Sequence, residues 1–92
     1  MRFSLLDFRK SLDNIDEAIV ILLAERFRIT EKIGRLKAKK NLPPQDKTRE
    51  KEKLEKLSQI ARSHGLEPLL IRRLFRLIFN QVVKNHKKIA SR

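Results

Sequence analysis

The chain has 92 residues, which is enough for one small domain and too few for two. It contains no cysteine, which excludes a disulfide, a thiolate nucleophile and a zinc site with cysteine ligands. The 23 Lys and Arg against 11 Asp and Glu give a net charge of +12, so the expected partners are anions: nucleic acid, an acidic membrane surface or a small polyanionic metabolite.

The amino-terminal stretch MRFSLLDFRK has no continuous apolar core and carries Asp7, so we expect no signal peptide. No apolar run approaches the roughly 18 residues that a membrane span needs. We therefore expect a cytoplasmic protein with no membrane partner.

An apolar stripe predicts one long helix from about Ser4 to Lys40. Its members recur at steps of three and four, as in a heptad repeat. They are Leu5, Phe8, Leu12, Ile15, Ile19, Leu22, Ile29, Ile33 and Leu36. We expect Ser4 to cap this helix, with Asp7 completing a capping box, and the pair at 43–44 (Pro-Pro) to end it.

One residue interrupts the stripe, and a second is unusual inside a helix. Arg26 is a charge on the face that the helix should bury, and buried arginine needs a partner. That partner is either a carboxylate of another helix, such as Asp46 or Glu50, or a ligand. Gly34 costs about 1 kcal/mol relative to Ala inside a helix, which predicts that another helix or a ligand approaches closely there.

The second helix is predicted to begin at the N-cap Asp46 and to end at His64 and Gly65. The third is predicted to begin with Pro68 at its first position. Their apolar stripes are Leu54, Leu57, Ile60 and Ala61, followed by Ile71, Leu74, Phe75, Ile78, Val82, His86 and Ile89. No strand-type alternation of useful length is present.

The predicted fold class is therefore all-α, a single domain over residues 1–92 with one long N-terminal helix in a three-helix protomer. A helix of about 36 residues is roughly 54 Å long, whereas a globule of this size is only about 25 Å across. We therefore expect an intertwined homodimer with two-fold symmetry, the commonest symmetry of homo-oligomers.

Charged side chains accompany the apolar faces of the predicted helices. Lys37 lies three turns beyond Arg26 on the same side of the first helix, and Arg9 and Arg49 add further cations. Arginine recognises carboxylates in a bidentate manner, and carboxylates accept from hydroxyls. With no nucleophile set, Gly-rich phosphate loop or metal-ligand spacing, we expect an enzyme of this kind to need no cofactor and no metal.

Four stretches resemble the all-helical chorismate mutases: LDFRKSLDNIDEAIVILLAER, IGRLKAKKNLPPQD, DKTREKEKLEKL and IRRLFRLIF. The resemblance implies a three-helix protomer in an interlocked homodimer whose active sites use both chains. It also implies the cofactor-free rearrangement of the dicarboxylate chorismate to prephenate, in phenylalanine and tyrosine biosynthesis. Arg26 would bind a substrate carboxylate, Arg9 would come from the other protomer, and Lys37 would donate to the ether oxygen and a carboxylate.

The resemblance also implies that Asp46 and Glu50 lie near the ring hydroxyl and that Arg49 belongs to the same site. Two positions depart from the family pattern. Val82 replaces a serine, and His86 replaces a glutamine that donates to the ether oxygen. His86 can still donate as imidazolium or as one neutral tautomer. The alternative for His86 is a surface position in the basic tail KNHKK.

Three other functions remain open at this point. The altered third helix is compatible with an isochorismate-pyruvate lyase or an aminodeoxychorismate mutase, and also with a dimer that has lost catalysis. The basic tail is compatible with a nucleic-acid-binding dimer. Nucleic acid is disfavoured because there is no helix-turn-helix and no aromatic stacking platform.

Overall fold

Three helices account for most of the chain in a computed structural model that describes residues 2–92. They are α1 (Leu5–Lys39), α2 (Lys47–Ser63) and α3 (Pro68–Ala90). No strand occurs within residues 2–92, so the all-α prediction is confirmed. None of the helices in this range combines the length and hydropathy needed to cross a bilayer. The chain divides into two compact units, one ending at Thr30 and the other beginning at Glu31.

A capping box fixes the start of α1, as predicted. The Ser4 backbone N–H donates to Asp7 Oδ2 at 3.0 Å, and the Asp7 backbone N–H donates to Ser4 Oγ at 3.2 Å. These reciprocal bonds satisfy backbone donors that the first turn leaves without helical partners. The backbone hydrogen bond from Ser4, followed by the bond from its hydroxyl, lowers the pKa of Asp7 below the ordinary 3.8.

The end of α1 depends on a residue that the sequence analysis did not single out. Asn41 has a φ of 56°, the left-handed conformation that asparagine tolerates better than most residues. The Leu42 N–H then donates to the Lys37 carbonyl at 2.8 Å, which closes the last turn. The helix therefore ends before the two prolines, each of which disfavours the helical conformation at the residue preceding it.

The predicted boundaries of α2 and α3 are confirmed. Asp46 is the N-cap of α2, and its Oδ1 accepts from the Arg49 N–H at 3.0 Å. His64 is the C-cap, and Gly65 follows with a φ of 71°, in the left-handed region that favours glycine. Pro68 opens α3, where a missing N–H has no helical cost.

Packing of α2 against α3 forms the core of the second unit. Predicted stripe residues Leu54, Ala61 and Ile78 are buried, but so are Ser58 and Phe79, which the periodicity did not select. Ser58 is tolerated there because its hydroxyl donates to the Leu54 carbonyl at 2.7 Å.

Two other stripe residues, Ile60 and Leu74, remain 46% and 44% exposed in the single chain. The packing of α2 against α3 therefore covers only part of each apolar stripe.

The stripe of α1 is exposed along its length in the single chain. Its fractional exposure ranges from 43% at Ile33 to 68% at Leu22. A 35-residue helix is about 52 Å long. So large a continuous apolar face is typical of a surface that another chain covers.

Candidate functional site

Arg26 differs from the other arginines of α1 in its burial. Its side chain is half-buried, and Nη1 has no contact with solvent. Desolvation by burial lowers the pKa of Arg26. Two residues further on, Arg28 is exposed and pairs with Glu25 within one helical face. The structure therefore separates one sheltered guanidinium from an ordinary surface one, as the interrupted stripe predicts.

Arg9, the second site arginine of the first unit, is exposed in the single chain. Arg9 is predicted to contribute to the site of a second copy of the chain, and its side chain must be exposed in the single chain to do so. The role itself stays a prediction.

Lys37 lies in the last turn of α1 and is half-buried. Its carbonyl is held by the Leu42 N–H, so the turn at Asn41 fixes the backbone that carries the ammonium group. A sheltered lysine at a helix C-terminus is favoured by the helix dipole.

The N-terminal turn of α2 brings three predicted site residues together. Asp46 Oδ1 caps the helix by accepting from the Arg49 backbone N–H. The side chain of Arg49 is exposed. Glu50 is half-buried, and its Oε1 accepts from Gln45 Nε2 at 3.4 Å. The helix cap therefore occupies one carboxylate oxygen of Asp46. Gln45, the neighbour of Glu50, is a polar residue that the sequence analysis missed.

His86 is buried, with 4% of its surface exposed. This rules out the surface position in a basic tail. Its Nδ1 lies 3.4 Å from the Pro44 carbonyl oxygen. Because a carbonyl only accepts, that contact places a proton on Nδ1 and leaves Nε2 of the neutral ring as an acceptor. Val82, one turn earlier on α3, is half-buried.

Gly34 explains why the imidazole fits. A Cβ on Gly34 would lie 2.6 Å from His86 Cδ2 and 3.0 Å from His86 Nε2, and 3.0 Å from Ile89 Cδ1. Real Cβ atoms do not make contacts as short as 2.6 Å, so the glycine is needed where α3 approaches α1. The interior helix glycine was the sequence signal for this contact, and the prediction of a close approach is confirmed.

The second unit thus holds Lys37, Asp46, Arg49, Glu50, Val82 and His86, and the first holds Arg9 and Arg26. Residues of these types, cations, carboxylates and a histidine, can bind a small molecule with carboxylates and hydroxyls. The roles assigned to these eight residues remain predictions.

The helical fold and these side chains define an all-α protein with ionisable groups held on otherwise apolar faces. The sequence profile of the family described as chorismate mutase type II matches residues 8–87. The chain therefore belongs to the type II chorismate mutase family.

Similar proteins cover almost the whole of this chain. It is 41% identical over 88 residues to a bifunctional chorismate mutase/prephenate dehydratase of Buchnera aphidicola subsp. Schizaphis graminum, covering 96% of this chain and 23% of that protein. The protein with the same name in Escherichia coli is 35% identical over 87 residues, covering 95% of this chain and 22% of the relative. This chain therefore spans less than a quarter of the length of these relatives.

Proposed function

We propose that this chain is a chorismate mutase that rearranges chorismate to prephenate. The observation that carries the proposal is the match of the type II chorismate mutase profile to residues 8–87, a range that includes Arg26. A carboxylate of the substrate would form charge-assisted hydrogen bonds with the half-buried guanidinium of Arg26.

The rearrangement is intramolecular: the ether C–O bond breaks as a new C–C bond forms, with no redox change and no group lost. The protein therefore acts by holding the reactive conformer and by stabilising the charge that develops on the ether oxygen. Arg26 and Arg49 bind carboxylates, and Lys37 donates to the ether oxygen and a carboxylate. Asp46 and Glu50 accept from the ring hydroxyl.

At Val82 and His86 the third helix differs from the family pattern. Val82 offers no hydroxyl, so one polar contact of the family pattern is missing. His86 donates to the ether oxygen when its imidazole is protonated, because the Pro44 carbonyl already holds the proton on Nδ1.

A homodimer completes the site. The exposed stripe of α1 supports a second copy as the partner, and Arg9 then reaches the site of the other chain. The reaction belongs to phenylalanine and tyrosine biosynthesis, with the cytoplasm as the matching compartment. In relatives whose names include a prephenate dehydratase, a dehydratase would consume the product.

The test is a chorismate consumption assay, followed by the loss of ultraviolet absorbance, with identification of the product. We expect prephenate. Parallel incubations with isochorismate and aminodeoxychorismate address the related activities that Val82 and His86 leave open. Failure to convert chorismate by a folded, helical protein would contradict the proposal.

A further inference from the structure

A cationic groove lies between α2 and α3 in the second unit. It has a volume of about 440 Å³, and its floor includes the buried side chains of Leu54 and Phe79. Four cations line it: Lys47, Lys51, Arg72 and Arg76. None of these four belongs to the proposed mutase site, although Glu50 lies at the edge of both.

The charge of the groove is unbalanced. Its four cations face a single lining carboxylate, Glu50. Arg72 pairs with Glu55 at 3.0 Å. Within residues 2–92, no ion pair involves Lys47, Lys51 or Arg76.

The helix register places like charges opposite one another. The Arg72–Glu55 pair joins the two helices at one point. Arg76 follows Arg72 by four residues on α3, and Lys51 precedes Glu55 by four residues on α2. One helical turn from the ion pair, Arg76 therefore lies opposite Lys51, and both line the groove. Facing cations repel one another, and a bound anion would relieve that repulsion.

We propose that this groove binds a small organic phosphate carrying two or more phosphate groups. The volume is within the range of small-molecule sites, about 300–1,000 Å³. The phosphates lie between Lys51 and Arg76, where arginine offers its planar fork and lysine a point charge. The N-terminal turn of α2, which carries Lys47, adds the positive end of its dipole.

The remaining lining groups suit the organic part of the ligand. Asn80 can donate and accept, and Glu50 accepts from hydroxyls. Leu54 and Phe79 offer apolar surface at the base of the groove. Each phosphate group offers three acceptor oxygens, whereas a carboxylate offers two. A pyrophosphate group therefore satisfies more of the N–H donors of Lys47, Lys51 and Arg76 than a dicarboxylate does. The groove therefore prefers the phosphate over the proposed mutase substrate.

The test is titration of the protein with pyrophosphate and with ATP at physiological ionic strength, followed by calorimetry and by amide shifts in two-dimensional NMR. We expect saturable binding, with shifts concentrated in residues 47–54 and 72–80. Malonate, a dicarboxylate without phosphate, should bind at least about tenfold more weakly. Shifts spread over all basic surfaces, or no saturable binding, would overturn the proposal.

Two variants with the same charge change provide the control. Arg76→Glu should weaken pyrophosphate binding by about tenfold or more, since it replaces a groove cation with an anion. Arg73→Glu changes an exposed arginine of the same helix outside the groove and should bind nearly as wild type does. Equal loss in both variants would mean that only the overall charge attracts the anion.

The milder Arg76→Gln keeps the test informative if Arg76→Glu fails to fold, and it should also weaken binding. Arg26→Ala should bind pyrophosphate normally, since Arg26 belongs to the first unit and not to the groove. Loss of binding in Arg26→Ala would place the phosphate in the proposed mutase site instead and overturn the separate groove.

Discussion

Arg26 and Arg28 lie two residues apart on α1 and have different surroundings. Arg26 Nη1 is out of contact with solvent, whereas Arg28 is exposed and paired with Glu25. An exposed ion pair of this kind contributes little to stability. A desolvated guanidinium, by contrast, has a strong electrostatic interaction with any anion that reaches it.

We expect Arg26→Ala to lower kcat/KM for chorismate by about 10²- to 10⁴-fold, because it removes two charge-assisted hydrogen bonds worth about 1.5–3 kcal/mol each. Arg28→Ala makes the same charge change and should stay within a few-fold of wild type. The measurement is the initial rate of absorbance loss, with circular dichroism to verify helicity. Equal losses in the two variants, or unfolding of Arg26→Ala alone, would favour a purely structural ion pair.

His86 gives a second prediction at the residue scale. Its Nδ1 faces the Pro44 carbonyl, so only the imidazolium donates from Nε2. Glutamine carries an N–H donor without a change of protonation, so we expect His86→Gln to keep more turnover than His86→Leu, which fills the space without a donor. The check is the initial rate of chorismate consumption by the two variants, with circular dichroism to verify helicity.

Equal rates of His86→Gln and His86→Leu would mean that His86 is a packing residue and does not donate in the reaction.

At the scale of the elements, contacts between helices depend on single small residues. The glycine at 34 admits a buried imidazole from α3, and the glycine at 65 permits the left-handed turn after α2. The first requires glycine for lack of space and the second for its backbone conformation. A glycine-to-alanine substitution at each position distinguishes these two requirements.

Gly34→Ala should lower the free energy of unfolding by up to about 2 kcal/mol, because the gain of about 1 kcal/mol in helix propensity offsets only part of an overpacking cost of about 1–3 kcal/mol. His86→Ala opens the space that the new Cβ needs, so the double variant Gly34→Ala/His86→Ala should lose less than the sum of the single losses. Chemical denaturation of all four proteins measures this coupling.

Gly65→Ala is the matched comparison. Nothing lies within 4 Å of its added Cβ, and its φ of 71° is the source of strain. It should also destabilise the protein by about 1 kcal/mol, but His86→Ala should not change that loss. Additive losses at Gly34 would contradict the packing explanation.

The capping box of α1 predicts a pH effect confined to one helix end. The pKa of Asp7 is lowered in the folded protein, so its contribution is present above the unfolded pKa and disappears as pH falls through the folded pKa. We expect Asp7→Asn to increase amide exchange in the first turn of α1 near neutral pH. The difference from wild type should vanish in strong acid, below the lowered pKa.

Asp13→Asn is the control, because Asp13 is exposed and lies inside α1, beyond the first turn that the cap stabilises. It should leave exchange in the first turn unchanged. An Asp7→Asn effect that persists in strong acid would mean that the carboxylate does not stabilise the helix end.

At the scale of the whole molecule, the exposed stripe of α1 and the proposed role of Arg9 both require a second copy. If each site takes Arg9 from one chain and Arg26 from the other, two inactive variants can complement each other. A heterodimer of Arg9→Ala and Arg26→Ala then contains one site with both arginines and one with neither.

Mixing equal amounts of the two variants, after unfolding and refolding together, should restore about a quarter of the wild-type rate, since about half of the dimers are heterodimers with one intact site of two. Each variant refolded alone should remain inactive. No recovery would mean that both arginines serve a site within one chain.

Ile19→Glu tests the dimer itself. Ile19 is half exposed in the single chain, and a buried carboxylate without a partner would be strongly unfavourable at an interface. We expect sedimentation to show loss of the dimer. A stable, active dimer of Ile19→Glu would mean that this face of α1 is not the interface.

The sequence by itself determined the three helices, nearly all of their boundaries and the unusual residues at positions 26 and 34, because caps and apolar periodicity are local properties of the chain. Tertiary structure decided which side chain occupies the space at Gly34, that Ser58 and Phe79 enter the core, and that like charges line one groove. Those outcomes depend on how two helices cross and in which register, and residues far apart in sequence determine both.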